Sequence, residues 1–287
     1  MWYLPILLLL AQASSAPVPE IVTIQHENGV KSRSGPVVDG RREGLWTAWH
    51  DNGAKMYEGE FRDYRRVGRF TYWSRTGSKH SEGSWSDGER SGLWSFWHPN
   101  GTKASEGNFE EGLRSGAWTF WSDKGTIQRS GPFRFDLQDG EWTLYAHGTG
   151  IKSSEGSYKR GLRSGTWTRY REDGTREWSG RFANDKEEGA WTRWHPNGEV
   201  LALGSYVEGQ MEGEWIGFHA NGQRDYRGAF RAGQETGPWT YWWPNGNKKS
   251  EGQFGGGKRF GPWRVWNEEG DLSLELSGEY ADGKRKP

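Results

Sequence analysis

The apolar positions along this chain are mostly aromatic, and they recur at a fixed interval between glycine-rich polar turns. Residues 92–115, GLWSFWHPNGTKASEGNFEEGLRS, show the pattern: two aromatics three apart, a polar turn, a run ending in Gly-x-Phe, then another polar turn. Units of this kind begin at Gly44, Gly68, Gly92, Gly116, Gly140, Gly165, Gly189, Gly213, Gly237 and Gly261, 24 residues apart with one step of 25. A second glycine closes each mid-unit turn, from Gly53 to Gly270, and a third follows in the next run, from Gly59 to Gly278. A fixed period of this length marks a repeat architecture.

Turn chemistry decides the elements. Asn52-Gly53, Asn100-Gly101, Asn197-Gly198, Asn221-Gly222 and Asn245-Gly246 stand between runs of the form Trp-Thr-x-Trp and Lys-x-x-Glu-Gly-x-Phe/Tyr. Asn-Gly between strand-forming runs predicts a tight hairpin, because both residues accept positive φ. Glycine every six to nine residues opposes helix. The predicted fold is therefore all-β: an elongated antiparallel meander of ten stacked β-hairpin repeats over residues 44–283. A lone hairpin is unstable, so each unit relies on its neighbours.

Composition explains where the core must come from. Only 32% of residues are hydrophobic, yet 20 are tryptophan, and the repeat's three aromatic positions hold 30 of the 43 aromatics. Burial must then rest on rings, which carry large apolar areas. With 38 basic and 38 acidic residues the net charge is zero, which argues against a general nucleic-acid partner. The absence of cysteine excludes a disulfide framework, a thiolate metal site and a lipoprotein anchor.

The N-terminus reads as an export signal. Trp2 to Leu10 form an apolar run too short to span a bilayer. Ala11-Gln12-Ala13 follows as a small-x-small cleavage pattern, although no basic residue precedes the run. Residues 1–13 are assigned as signal peptide, with cleavage as late as Ala16 allowed. This places the mature chain in the periplasm, at the cell surface or outside the cell. Residues 14–43 read as an N-terminal cap, in which Asn28-Gly29 and Gly35 match the second half of a unit. Residues 284–287 are a charged tail ending in proline, unsuited to further pairing.

These units resemble MORN repeats, and more closely the bacterial variant. Tyr57-Glu58-Gly59-Glu60-Phe61 and Gly68-Arg69-Phe70-Thr71-Tyr72-Trp73 follow the family's order of aromatic, glycine, aromatic. The second glycine of the family's Gly-x-Gly pair is here Trp in nine units and Phe70 in one, which marks the variant. The resemblance covers residues 41–283. It implies a scaffold that contacts protein or, in some members, membrane lipid. Some members are labelled antitoxins, which act in the cytoplasm, and the signal sequence argues against that here.

No residue set points to catalysis, a metal or a cofactor. His50, His98, His195 and His219 share one position before the turn, too far apart for metal ligation. Glu58, Glu82, Glu106, Glu155 and Glu251 recur three residues after Lys55, Lys79, Lys103, Lys152 and Lys248, which reads as solvated face charges with cross-strand lysine partners. Identical environments do not split two carboxylates into acid and base. Two rows are candidate surfaces. Arg42, Arg66, Arg90, Arg114 and Arg163, with Arg259 in the last unit, form a row in the inter-unit turns suited to an anionic partner. Trp49, Trp73, Trp97, Trp121, Trp194, Trp242 and Trp266 are the later of the two first-strand aromatics. Alternation sends them to the face opposite their neighbours three residues earlier. Exposed, they would suit a protein partner, a glycan, a choline-like group or an anionic lipid surface.

Overall fold

The computed structural model describes residues 18–287, so the signal-peptide assignment, 1–13 or up to 16, lies outside the described residues. The chain divides into two compact units, one ending at Gly101 and one running from Thr102 to Pro287. Both are all-β, and the described residues contain no helix.

The first unit is an antiparallel meander of Glu20–Gln25, Lys31–Val38, Gly44–Trp49, Lys55–Arg62, Arg65–Trp73, Lys79–Ser86 and Glu89–Trp97, with a short Arg41–Arg42 strand. Its cap is a complete hairpin, where the sequence suggested half a unit. Val22 pairs with Gly35 as Trp46 pairs with Gly59, so Glu20–Gln25 is a first strand with valine in the ring position. The second unit repeats the scheme through hairpins such as Leu162–Tyr170 with Arg176–Ala183 and Lys186–Trp194 with Val200–Val207. Near its end, residues 267–277 interrupt the last hairpin before Gly278–Ala281.

Two register shifts recur along the repeats, though the last hairpin lacks the first of them. One precedes the mid-unit turn, where Ala48 pairs with Tyr57 but Trp49 pairs with Lys55. The other follows the strand glycine, where Gly59 pairs with Phe70 but Glu60 pairs with Val67. The skipped pair is Gly68 and Arg69, and Gly68 has φ +69°, a conformation costly for L side chains.

The core is a row of rings lying on glycine. Trp46 is only 2% exposed and packs edge-on against Phe61, whose ring centre is 6.4 Å away. In the second unit Trp167, Phe182, Trp191, Tyr206 and Trp215 form one buried cluster. Each buried ring of a first strand, from Trp46 to Trp263, covers the third glycine of the preceding strand. A Cβ at Gly156 would lie 2.4 Å from Trp167 Cδ2, and one at Gly204 only 2.0 Å from Trp215 Cδ2. The indole N–H meets the residue after that glycine: Trp94 donates to the Ser84 carbonyl at 2.9 Å and Trp167 to the Ser157 carbonyl at 2.9 Å. Tryptophan thus supplies both the buried area and the donor that satisfies a backbone acceptor.

Candidate interaction surface

Two rows of tryptophan lie on opposite faces. Trp46 and Ala48 alternate inward and are buried, and the shift after Ala48 sets Trp49 against Lys55 on the other face, half-buried. Trp73, Trp97, Trp121, Trp194, Trp242 and Trp266 are likewise half-buried.

Each of these outer rings carries a cation from the preceding repeat. In the first unit Lys55 Nζ lies 5.0 Å from the Trp73 ring centre and 2.8 Å from Glu58 Oε2. Lys79 lies 5.0 Å from Trp97 and 3.0 Å from Glu82. In the second unit Lys103 lies 5.8 Å from Trp121 and 2.6 Å from Glu106, and Lys248 lies 5.8 Å from Trp266 and 2.8 Å from Glu251. Arginine does the same over Trp194 (Arg176, 4.7 Å) and Trp242 (Arg224, 5.2 Å). Within each unit the result is an outer indole face capped by a cation, joined by a carboxylate at Lys55, Lys79, Lys103 and Lys248. Each such contact contributes well under about 2 kcal/mol, so the row's importance lies in its spacing.

The lysine–glutamate pairs differ from the sequence expectation in two respects. Lys55 and Glu58 lie on one strand, not across two, and the shift opposite residue 56 is what lets residues three apart meet. The carboxylates are also less solvated than a free face would leave them: Glu82 is 19% exposed and Glu251 26%. The Lys248 ammonium holds the Glu251 carboxyl below its ordinary 4.5; burial pulls the other way, and Arg264 adds to the lowering. A carboxyl lowered in the folded state contributes stability that is present above 4.5 and lost as pH falls through the folded value. We expect Glu251→Gln to lower the melting temperature near neutral pH, with the gap to the parent closing in acid. Calorimetry across pH checks this, and a gap independent of pH would refute it.

In two of the regular hairpins both members are replaced, Ile127 with Ser130 and Val200 with Leu203, whereas Arg176 and Arg224 keep the cation with Ser179 and Arg227 in the glutamate position. Losing both members leaves no lone half-buried carboxylate, and where arginine stays without the glutamate it still lies over Trp194 or Trp242.

The structure turns the arginine row toward the protein's own rings. Arg42 lies 4.7 Å from the Trp46 ring, Arg66 4.7 Å from Trp85 and Arg90 4.8 Å from Trp94. Arg114 lies 4.1 Å from Phe133 and bonds Asp136 at 2.8 Å; Arg163 lies 3.9 Å from Phe182 and bonds Asp185 at 3.1 Å. Arg259 lies 4.2 Å from Trp263. All are half-buried, their planar guanidiniums lying over ring faces of the core instead of projecting as a free row.

The turn histidines staple repeats together. His50 Nε2 donates to the Trp73 carbonyl at 3.1 Å, His195 to Phe218 at 2.7 Å and His219 to Trp242 at 2.9 Å. Asn52 Nδ2 donates to the Arg75 carbonyl at 2.8 Å in the same way. Trp243 takes the histidine's place, its indole donating to the Trp266 carbonyl at 3.1 Å. With Val265, Trp266 and Leu276 it lines an apolar groove of about 570 Å³ that the sequence reading missed. The signal available was a tryptophan in the histidine position just before the one irregular unit.

Among the described residues no helix is long and apolar enough to cross a membrane. A family model described as MORN repeat variant matches residues 90–111, 187–208 and 235–254. No curated protein matches the chain. Among solved structures, a crystal structure of TcdB2-TccC3 aligns at 12% identity and TM-score 0.20, covering 90% of this chain and 16% of that one. One of TcdB2-TccC3-TEV aligns at 9% identity and TM-score 0.20, covering 90% and 15%. The chain spans about a sixth of the length of those chains, and likeness at that level carries no argument.

Proposed function

Taking the chain for what its units make it, a MORN-repeat variant protein, we propose that it is an exported, non-enzymatic scaffold whose outer tryptophan face docks a protein partner. The observation that carries this reading is the separation of the two rows. The inner row is consumed by the core, whereas Trp49, Trp73 and Trp97 in the first unit remain half open beside fixed charges. Half-open tryptophan is among the residue types most enriched as interface anchors, and the lysine–glutamate pairs beside it suit a polar rim. The non-enzymatic reading is supported by the carboxylates: Glu155 and Glu251 are both shifted downward by bonded lysines, the same direction, where acid–base work needs divergence. Export rests on the apolar run from Trp2 to Leu10 and on Ala11-Gln12-Ala13.

The test is capture of a partner from a periplasmic or surface fraction, by the parent chain and by a Trp49→Ser/Trp73→Ser variant. We expect the variant to lose the partner while its far-UV circular dichroism and melting temperature stay close to the parent's. Undiminished capture would sink the reading, and an uncleaved chain in the cytosol would sink export. A second reading, a module for glycans, choline-like groups or anionic lipid, is favoured by the groove of Trp243, Trp266, Val265 and Leu276. Titrating glycans, choline and anionic vesicles against tryptophan emission separates the two, since a protein scaffold responds to none of them.

A further inference from the structure

Most two-residue turns between repeats carry ion pairs along the sheet's edge. In the first unit Arg41 meets Asp63 at 3.0 Å and Arg65 meets Asp87 at 2.5 Å; in the second, Lys186 meets Glu208 at 2.6 Å and Lys258 meets Asp282 at 2.5 Å. Three consecutive turns of the second unit depart from this. They read Glu110-Glu111-Gly112-Leu113, Arg134-Phe135-Asp136-Leu137 and Lys159-Arg160-Gly161-Leu162. Leucine stands in each where arginine or lysine makes the pairs just named, and all three leucines are exposed. The turns lie side by side: Arg114 bonds Asp136, and a Cβ at Gly161 would lie 3.7 Å from Leu137 Cδ2.

The middle turn is the outlier. Phe135 has φ +52° and is 66% exposed, so a bulky residue sits in the left-handed region with its ring in water. The corresponding positions hold polar residues (Asp39, Asp63, Asp87, Glu111, Arg160, Asn184, Glu208 and Asp282) or the small Ala232 and Gly256, and no other aromatic ring. The turn geometry itself imposes this φ at every equivalent position; what it does not call for is a bulky ring, which meets the Arg134 guanidinium at 5.6 Å and otherwise faces water.

Charge runs across the three turns in one direction. Glu110 and Glu111 lie one repeat before Phe135, and Lys159 and Arg160 lie one repeat after it. Such an edge is complementary to itself under a twofold axis through the Phe135 turn, which sets each copy's acidic end against the other's basic end. We propose that the chain forms an isologous homodimer through this edge, with Phe135 packed against its copy at the axis. The groove of about 620 Å³ beside Phe135, in whose lining the carboxylates of Glu110, Glu111 and Asp139 outnumber Arg114 and Arg134, then receives the second copy's Lys159-Arg160-Gly161-Leu162 turn. Charge complementarity selects a second copy as the occupant. An anionic membrane would repel Glu110 and Glu111, and an acidic peptide would leave them unmatched.

Sedimentation analysis of the full chain tests this. The parent is expected to dimerise reversibly, and Phe135→Asp to weaken the dimer about 100-fold or more. Phe135→Gly is expected to abolish the dimer while raising the melting temperature measured under monomeric conditions, since glycine relieves the φ strain. A variant with Glu110→Lys and Glu111→Arg, and another with Lys159→Glu and Arg160→Glu, should each be monomeric alone and should pair when mixed. A parent that stays monomeric at all concentrations, a dimer indifferent to Phe135→Asp, or charge variants that fail to pair on mixing would overturn the proposal, as would binding of the edge to anionic vesicles in place of a second copy. None of these substitutions touches the tryptophan face, so failure here leaves the docking reading standing and the reverse holds equally.

Discussion

Replacing Gly180 by alanine is expected to destabilise the second unit by about 3 kcal/mol, the upper end for overpacking a tight core. The added Cβ would lie 2.1 Å from Trp191 Cδ2. That ring has nowhere to retreat: its N–H is bonded to the Arg181 carbonyl at 3.2 Å, and the Trp178 and Phe182 rings lie with centres 5.0 Å and 5.2 Å away. Gly189 provides the control. Its φ is +66°, but no atom lies within 4 Å of an added Cβ, so Gly189→Ala should cost only about 1–2 kcal/mol of backbone strain. Urea unfolding of both variants measures the difference. Equal costs would show that these strand glycines serve conformation and not the approach of the ring.

Trp167→Ala is expected to cost about 3–5 kcal/mol, because it opens a cavity in the buried cluster of Phe182, Trp191 and Tyr206. Trp167→Phe separates volume from hydrogen bonding. Phenylalanine fits this position, since Phe70 occupies the equivalent site fully buried over Gly59. The substitution nevertheless strands the Ser157 carbonyl, and we expect a loss of about 1–3 kcal/mol. Trp194, one repeat on and on the opposite face, should lose under about 1 kcal/mol on the same change to phenylalanine. A similar cost at both positions would erase the distinction between the rows.

Much of this was legible in the sequence, for identifiable reasons. Asn52-Gly53 and its equivalents announced the mid-unit hairpins, but there only the glycine takes positive φ; the successive positive φ values expected of Asn-Gly fall instead in the inter-repeat turns, as at Asp63 and Tyr64. The three-residue step from Trp46 to Trp49 fixes opposite faces because a strand alternates. The first hairpin was half hidden, since Glu20–Gln25 carries Val22 where a ring normally announces a first strand. The arginine row was legible as a turn position and no further: position does not say whether a long stem folds back over Phe133 or extends into water. The lysine stacking was hidden by distance, because Lys55 covers Trp73, a residue of the following repeat. The available hint was that Arg176 and Arg224 hold the lysine position even where Ser179 and Arg227 replace the glutamate, so the cation serves something besides the carboxylate. Phe135 was visible as a letter, but its significance needed its φ and its exposure together.

The account rests on one row of tryptophans building the sheet and another facing outward. Indole N–H exchange with solvent, followed residue by residue by NMR, tests that most directly. The account predicts strong protection for Trp46, Trp142, Trp167 and Trp215, whose N–H groups are bonded to backbone carbonyls in the core. It predicts fast exchange for Trp49, Trp73 and Trp194 on the open face. Equal protection in the two rows, or fast exchange in the first, would contradict it.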